Sequence, residues 1–316
     1  MRAALQTLCE QFIFNRDEIK QAAKWNSTYM YPVCAHLYCA AGKQAHQEKL
    51  LQIRDMIKQQ TGVFSQFRGN IQLPLMCLLA MEEDPADKLR RVLGIYQLLR
   101  KDFMASDFLV LGAFLLSDKE DSLESILQKV SRGNALYRRI RKQHPFLTGS
   151  EDSVFALLLT LSPKDDDALM SEIEETFHLL RTRFKNQNEA QRMSHILAMA
   201  EGTPQDKAER VIRLYDAITL AGGKYGKYYE MPALAALSML NRDEKTLSMD
   251  IMDVYEYLGT QSGYGFWGLG KTTRLMHAVM IVSLEQERTT AMDAAILAST
   301  LSLIIAQQAA AATAAT

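Results

Sequence analysis

Two kinds of hydrophobic segment alternate along this chain. Segments of the first kind are short, rich in leucine or alanine and almost free of charge, such as LPLMCLLAM and MPALAALSML. Segments of the second kind carry an apolar residue every three or four positions between charged residues, such as KLRRVLGIYQLL and KAERVIRLYDAI. The first pattern predicts helices that are buried on nearly all sides, and the second predicts amphipathic helices with one face in water.

Both kinds of segment recur with a period of about 40 residues, as repeat proteins do. Each amphipathic segment contains one bulky apolar marker residue, and each uncharged segment aligns with the others on one position. The markers are Ile57, Tyr96, Tyr137, Phe177, Tyr215 and Tyr255. The alignment positions are Pro32, Pro74, Val110, Val154, Ser194, Pro232 and Met276.

This period predicts an all-α fold, an α-solenoid (α/α superhelix) of about seven two-helix repeats that is HEAT-like. The same helix pairs could instead close into an α/α toroid, and the sequence leaves both arrangements open. Residues 1–29 are expected to form an N-terminal capping helix and 30–290 the helical repeat domain. Residues 291–316, which carry no charge after Asp293, are expected to form an alanine-rich C-terminal helix or tail.

Capping residues indicate where several helices begin. Asp84, Ser162 and Thr203 each precede a proline, which predicts a side-chain N-cap followed by proline in the first turn. Thr148 and Glu151 have the spacing of a capping box in front of the next apolar segment.

Composition narrows the class of protein. With 48% hydrophobic and 23% charged residues the chain has the composition of a folded protein. The formal net charge of -1 gives no general attraction to a polyanion, so nucleic acid is not an expected partner. All four cysteines lie in apolar runs and form no C-x-x-C pair, which predicts buried thiols in a reducing compartment. We therefore expect a cytoplasmic protein without a secretory signal.

The segment from Gly265 to Thr272 matches the phosphate-loop spacing G-x-x-x-x-G-K-[ST]. A working phosphate loop leaves a buried parallel strand and enters a helix. Here an amphipathic helical segment precedes the motif, and Trp267 would crowd a phosphate. We interpret the motif as an interhelical loop, and keep Trp267 and Lys271 as candidate ligand contacts.

Further titratable residues could meet in a folded groove. His144, Glu151 and Asp152 surround a turn and could perform acid–base chemistry, although helix capping also explains them. His195 takes a position that is apolar in other repeats, so an interior histidine is the plainer interpretation. The candidate ligand-binding residues are His144, Glu151, Asp152, His195, Tyr229, Glu230, Trp267 and Lys271.

Basic residues cluster near the C-termini of the amphipathic segments. Arg138, Arg139, Arg141 and Lys142 form one such cluster. A stripe of these clusters would suit phosphates, but the helix dipole alone also favours cations at these positions.

Three stretches resemble a known bacterial family: HPFLTGSEDSVFALLL, the GFWGLGK segment before RLMHAVMIV, and the alanine-rich end. It is the domain-of-unknown-function family numbered four thousand and three, and the resemblance runs nearly end to end. It implies a bacterial, cytoplasmic protein without an assigned activity, so no functional residue is carried over. It draws attention to residues 144–152 and 265–271.

The regular period and the lack of a complete catalytic set favour an interaction module over an enzyme. The expected partner is a protein or peptide, and neither a cofactor nor a metal site is predicted. Residues 291–316 could contact a membrane or pack against a second subunit in a homodimer. The alternative is an enzyme or small-molecule binder whose site is assembled in the groove from several repeats.

Overall fold

The computed structural model of the chain describes residues 1–24, 26–117, 121–240, 242–265, 268–285 and 300. Within these residues it contains fourteen α-helices, one short 3₁₀-helix and no strand. The prediction of an all-α fold is therefore confirmed.

The helices occur where the two hydrophobic patterns place them. In chain order they are α1 (Ala3–Ala22), α2 (Met30–Ala40), α3 (Gln47–Gln60), α4 (Gln72–Ala80), α5 (Pro85–Leu99), α6 (Asp107–Leu115), α7 (Leu123–Gln143), α8 (Asp152–Leu159), α9 (Asp166–Arg183), α10 (Gln187–Leu197), α11 (Pro204–Leu220), α12 (Met231–Ser238), α13 (Glu244–Gly259) and α14 (Lys271–Val282). The even-numbered helices are the uncharged segments, and the odd-numbered helices from α3 onwards are the amphipathic ones.

The two kinds of helix are buried as their patterns require. In α4 every residue from Leu73 to Ala80 is buried, whereas α5 buries only the stripe that contains Leu89, Val92 and Leu99. A helix without charge on any face gains most from burial on all sides, and an amphipathic helix keeps its charged face in water. The even-numbered helices therefore form much of the core.

The helices belong to two compact units. Unit one comprises Met1–Lys20, Ser27–Gln44 and the described residues from Ser171 onwards, and unit two comprises Gln21–Asn26 and Ala45–Met170. In unit one α12 packs against α10 and α14, α13 packs against α11 and α14, and α2 contacts α14. In unit two α8 packs against α6 and α7, α5 packs against α6, and α3 packs against α4. The domain boundaries expected near residues 29 and 290 stay a prediction.

Arginines on three long helices bind the carbonyl groups just beyond the C-termini of short helices. The pairs are Arg91 with the carbonyl of Ser117, Arg132 with those of Thr160 and Ser162, and Arg210 with that of Leu240. Each arginine lies five residues before a marker tyrosine. Backbone carbonyls at a helix C-terminus have no partner within the helix, and the cationic side chains satisfy them.

Three of the four marker tyrosines pack closer to the C-termini of the same long helices. Each of these three contacts a phenylalanine from a loop that precedes a short helix. The ring pairs are Tyr96 with Phe67 at 5.2 Å, Tyr137 with Phe103 at 5.7 Å, and Tyr215 with Phe184 at 5.4 Å between centroids. Tilted and edge-to-face contacts of this kind stabilise aromatic pairs. These contacts fix the loops on the long helices.

Two of the three predicted proline-linked caps are confirmed. The side chains of Asp84 and Thr203 accept the N–H groups three residues on, at 2.9 and 3.1 Å. The cap predicted at Ser162 is wrong, because α9 begins only at Asp166. Instead, one carboxylate oxygen of Asp165, Oδ2, accepts the backbone N–H groups of Asp167 and Ala168 at 3.2 and 3.3 Å, as an N-cap acid does.

The capping box predicted for Thr148 and Glu151 is also wrong. The Thr148 hydroxyl donates to the carbonyl of His144 at 2.8 Å instead. The carboxylate of Asp152 accepts the N–H of Gly149 at 2.8 Å, so the acid next to Glu151 orders this turn. Instead of capping α8, the Thr148 hydroxyl is bound in a local turn to the residue directly after α7.

Replacing Arg132 by methionine tests the arginine–carbonyl contact. Arg132 donates to Thr160, Ser162 and Lys164 carbonyls at 3.0, 2.9 and 2.7 Å and pairs with Asp166 at 2.7 Å. The variant leaves these groups without their donor, so urea denaturation is expected to show a loss of about 2 kcal/mol. The control is Arg139→Met, which removes only an exposed ion pair with Asp167 and is expected to cost at most about 0.5 kcal/mol. Equal losses in the two variants would contradict the assignment.

Candidate functional site

Three loops of unit two carry the most exposed large apolar side chains of that unit. Phe64 is 100% exposed, Phe146 99%, Met104 80% and Val63 73%. The loops span residues 61–71, 100–106 and 144–151, and each joins the C-terminus of a long helix to the N-terminus of a short one. Because α5 contacts α3 and α7, and α6 contacts α8, these loops lie at the same end of the packed helices. We call them the loop end of unit two.

Specific contacts hold the first two of these loops next to each other. The backbone N–H of Asn70 donates to the carboxylate of Asp107 at 3.1 Å. A Cβ atom on Gly69 would lie 2.6 Å from the same carboxylate, so only glycine leaves room for it. Burial raises the pKa of Asp107, and the hydrogen bond from Asn70 opposes that rise. The loop before α4 therefore rests on the start of α6.

A pocket lies between the second and third loops. Its volume is about 290 Å³, and its lining combines apolar, polar and cationic side chains. The lining residues are Asp102, Phe103, Met104, Asn134, Tyr137, Arg138, Arg141, Thr148, Gly149, Ser150 and Ser153. We call it the arginine pocket.

The loop that forms one wall of the arginine pocket is held by several hydrogen bonds. The Tyr137 hydroxyl donates to the carbonyl of Gly149 at 3.1 Å, and the Gly149 N–H donates to Asp152. A Cβ atom on Gly149 would lie 2.2 Å from the Glu151 carboxylate, so a larger residue would displace that acid. The wall is therefore set by the backbone and by Glu151 and Asp152.

The charges in the arginine pocket are only partly compensated. Within the described residues neither Arg138 nor Arg141 forms an ion pair, whereas Arg139, between them, pairs with Asp167 at 2.7 Å. Asp102 accepts a hydrogen bond from the Asn134 amide at 3.3 Å. Burial is the largest cause of the raised pKa of Tyr137, and Arg141 lowers that pKa.

Unit one contains a different group, two buried carboxyl groups at the N-termini of short helices. Glu189 on α10 is 4% exposed, and Glu230 directly before α12 is 3% exposed. One Glu189 oxygen accepts from Arg192 at 2.8 Å, and the other has no hydrogen-bond partner among the described residues. Burial raises the pKa of both acids, and the charge of Glu230 raises that of Glu189 further.

Neighbouring residues fix Glu230 in this position. Its carboxylate accepts the backbone N–H of Tyr228 at 3.1 Å, and the Tyr225 hydroxyl donates to its carbonyl at 2.7 Å. A Cβ atom on Gly226 would lie 2.1 Å from the Glu230 carboxyl group, so a glycine is needed there. The Tyr229 hydroxyl shares a hydrogen bond of 3.0 Å with Thr273 of α14.

The candidate residues from the sequence fall into both units. Glu151 and Asp152 lie next to Gly149 of the arginine pocket but are not among its lining residues, and His144 is the residue directly after α7. Tyr229 and Glu230 lie together in unit one.

The remaining three candidates are His195, Lys271 and Trp267. His195 is a buried residue of α10, which agrees with an interior histidine. Lys271 is the exposed first residue of α14, and α13 precedes its loop, so the interpretation of the phosphate-loop motif as an interhelical loop is confirmed. Trp267 lies outside the described residues.

Sequence reasoning missed Glu189 and Arg192. Glu189 had a visible signal, because it is an acidic residue in a short helix of the kind that otherwise carries almost no charge. Arg138 and Arg141 were noted as part of a basic cluster, but their lack of carboxylate partners had no sequence signal, because the helix dipole explains basic residues at any helix C-terminus.

The predicted membrane contact concerns residues 291–316, which lie outside the described residues except for Thr300. Thr300 is buried and its hydroxyl lies 3.1 Å from Nδ1 of His36 on α2. Among the described helices, none combines the length and the hydropathy that a membrane span needs.

Comparison with known proteins gives a family and one relative. The sequence model of a family described as "Protein of unknown function (DUF4003)" matches residues 15–310. A Bacillus subtilis (strain 168) protein, described as "Uncharacterized protein YeaA", is 23% identical over 306 residues, which cover 93% of this chain and 89% of the relative. No solved structure matches.

Replacing Glu230 by glutamine is expected to raise the melting temperature at pH 8 and to leave it unchanged at pH 4. A raised carboxyl pKa in the folded state means that stability is lost as the pH rises from the unfolded-state pKa through the folded-state pKa. Glutamine removes that loss and can still accept the Tyr228 N–H. Thermal unfolding followed by circular dichroism at both pH values measures the effect.

The matched control for this pH dependence is Glu209→Gln on α11. Glu209 forms only an exposed ion pair with Arg213. Its substitution is expected to change the melting temperature little at either pH. A lower melting temperature of Glu230→Gln than of the parent chain at pH 8 would contradict the assignment.

Proposed function

The chain belongs to the DUF4003 family of proteins of unknown function, and we propose that it is an interaction module that binds a protein or peptide through the loop end of unit two. The observation that carries this proposal is the exposure of Val63, Phe64, Met104 and Phe146 on three adjacent loops. Single exposed apolar residues are ordinary on protein surfaces, but a group of them on neighbouring loops is typical of a binding face.

The energetics support a binding role for these side chains. Burying one phenylalanine side chain contributes about 1.5–3 kcal/mol. Phe64 and Phe146 are almost fully exposed in the free chain, so nearly all of that contribution is available to a partner. Phenylalanine, methionine and arginine are enriched at the centres of protein interfaces, and all three types occur on these loops or in the pocket between them.

The charged residues at the loop end indicate the chemistry of the partner that we propose. The C-termini of α5 and α7 carry basic residues at the loop end: Arg100, Lys101, Arg138, Arg141 and Lys142. A partner segment with acidic groups beside apolar ones complements this surface. Nucleic acid remains the less favoured partner because the net charge of the chain is -1.

We further propose that the helix pairs are HEAT-like repeats of an α-solenoid, with a closed α/α toroid as the alternative. The alternation of short and long helices supports this proposal, as does the recurrence of Arg91, Arg132 and Arg210 at one position. Repeats of one kind are expected to reuse the same contacts. A cytoplasmic location is part of the proposal, supported by four cysteines that are all buried and form no disulfide bond among the described residues.

A second candidate function, an enzyme or small-molecule binder, is favoured by one observation. Glu189 and Glu230 are buried acids with raised pKa values, and such acids are more frequent at functional sites than elsewhere. Mass spectrometry of the purified full chain under native conditions tests this candidate. A bound metabolite that the chain keeps, and that Glu189→Gln loses, would support it.

The double variant Phe64→Ser and Phe146→Ser tests the interaction proposal. Affinity purification from cells that express the native chain identifies a partner, and titration with that purified partner then measures Kd. We expect the double variant to raise Kd by about 100-fold, because each phenylalanine contributes about 1.5 kcal/mol.

The matched control is Leu123→Ser, which removes an exposed apolar side chain at the start of α7, away from the loop end. It is expected to bind the partner as the parent chain does. Equal binding by all three proteins would refute the proposed face, and a retained small molecule without any protein partner would favour the second candidate function.

A further inference from the structure

The arginine pocket has room for an acidic side chain together with its neighbouring atoms. Its volume of about 290 Å³ lies at the lower end of the range for small-ligand pockets, which begins at about 300 Å³. The pocket therefore admits an anionic group and its immediate surroundings but not a large metabolite.

We infer that the arginine pocket is a binding site for an oxyanionic group, a phosphate monoester or a carboxylate, that a side chain of the partner inserts between Arg138 and Arg141. The existence of an oxyanion site is independent of the proposed function. The assignment of the oxyanion to a side chain of the partner rests on the proposed function, because a bound protein or peptide must carry that side chain.

The two arginines are arranged for such a group. They lie three residues apart on α7, so both guanidinium groups extend from the same face of the helix, and both line the pocket. Neither has a carboxylate partner among the described residues, in contrast to Arg139 and Arg132 on the same helix. A guanidinium group pairs with carboxylate and phosphate oxygens through two parallel hydrogen bonds.

Neutral groups complete the pocket on its opposite wall. Thr148, Ser150 and Ser153 line it beside the N-terminus of α8, where the helix dipole favours an anion. The hydroxyls of Thr148 and Ser153 already donate to the carbonyls of His144 and Ser150, so the Ser150 hydroxyl is the donor that this wall offers to an anion. The apolar residues Phe103 and Met104 form the remaining wall and suit the methylene groups of an acidic side chain.

The acids near the pocket limit the affinity without removing the site. Asp102 accepts from Asn134, and Asp152 accepts from the Gly149 N–H, so both carboxylates already have donors. Their charges still oppose a second anion, because a charge that accepts a hydrogen bond is not neutralised by it. We therefore expect millimolar affinity for a free anion and tighter binding when neighbouring apolar contacts help.

Titration of the full chain with inorganic phosphate and with phenyl phosphate tests the site, with binding followed by the Nε–Hε NMR signals of the arginines. We expect saturable binding that weakens with added salt. The double variant Arg138→Gln and Arg141→Gln is expected to bind at least tenfold more weakly, and Arg139→Gln, the matched control on the same helix, is expected to bind unchanged. Lack of saturable binding, or equal binding by the double variant, would overturn the inference.

Two short peptides identify the source of the oxyanion. They have the same sequence, with phenylalanine and leucine as flanking residues, and carry either a central phosphoserine or a central glutamate. Tighter binding of either peptide than of inorganic phosphate supports a partner side chain, and the tighter peptide identifies the group. Binding no tighter than that of phosphate overturns the partner side chain as the source.

The failure of this inference is distinguishable from the failure of the proposed function, because the phosphate titration requires no partner. Phosphate binding that depends on Arg138 and Arg141, without any protein partner, supports the site and refutes the interaction module. A partner that binds through Phe64 and Phe146 but binds equally well to the arginine double variant supports the interaction module. It overturns the assignment of the oxyanion to a side chain of that partner.

Discussion

The carbonyl groups at the ends of short buried helices are the constraint on which this structure depends. A helix such as α8, with eight residues and burial on nearly all sides, leaves its last carbonyls away from water. Buried carbonyls without partners are costly, and the short helix has no cationic residue of its own to bind them. Arg132 on α7 supplies the donors for α8, and Arg91 and Arg210 do the same for α6 and α12. The long helices α5, α7 and α11 therefore each carry an apolar stripe and an arginine at one fixed position.

Because of this constraint, the residues along a long helix such as α7 have different roles. On α7 the arginine nearer the N-terminus is committed to carbonyls and to Asp166, and Tyr137 ties the helix to the preceding loop. Arg138 and Arg141, near the C-terminus, have no carboxylate partner among the described residues, and they line a pocket beside exposed apolar side chains. Side chains that are not needed to hold the helices together can make contacts with another molecule, which is why we place the proposed binding face there.

The sequence predicted the helices well because their signal is local. Uncharged and amphipathic segments differ in their spacing of charged residues along the whole segment. All seven uncharged segments form short helices. The sequence similarity of KLRRVLGIYQLL and KAERVIRLYDAI is evident from the sequence, but the structural cause of that similarity is not. Arg91 and Arg210 occupy the same repeat position because each donates to a backbone carbonyl, 26 and 30 residues further along the chain.

The incorrect caps at Ser162 and at Thr148 fail for a related reason, since a neighbouring acid and a local turn provide the hydrogen bonds in place of the predicted caps. The partners of Glu189 and of the pocket arginines depend on tertiary packing, which no local pattern encodes.

The central claim is that the loop end of unit two contacts a protein in the cell, and site-specific photo-crosslinking tests it most directly. A photoreactive phenylalanine analogue replaces Phe146, in the loop after α7, in one experiment and Leu123, at the start of α7, in the other. The account predicts that irradiation of living cells links one defined protein to the chain from position 146 and not from position 123. Crosslinks that are equal at the two positions, or none from position 146, would contradict it.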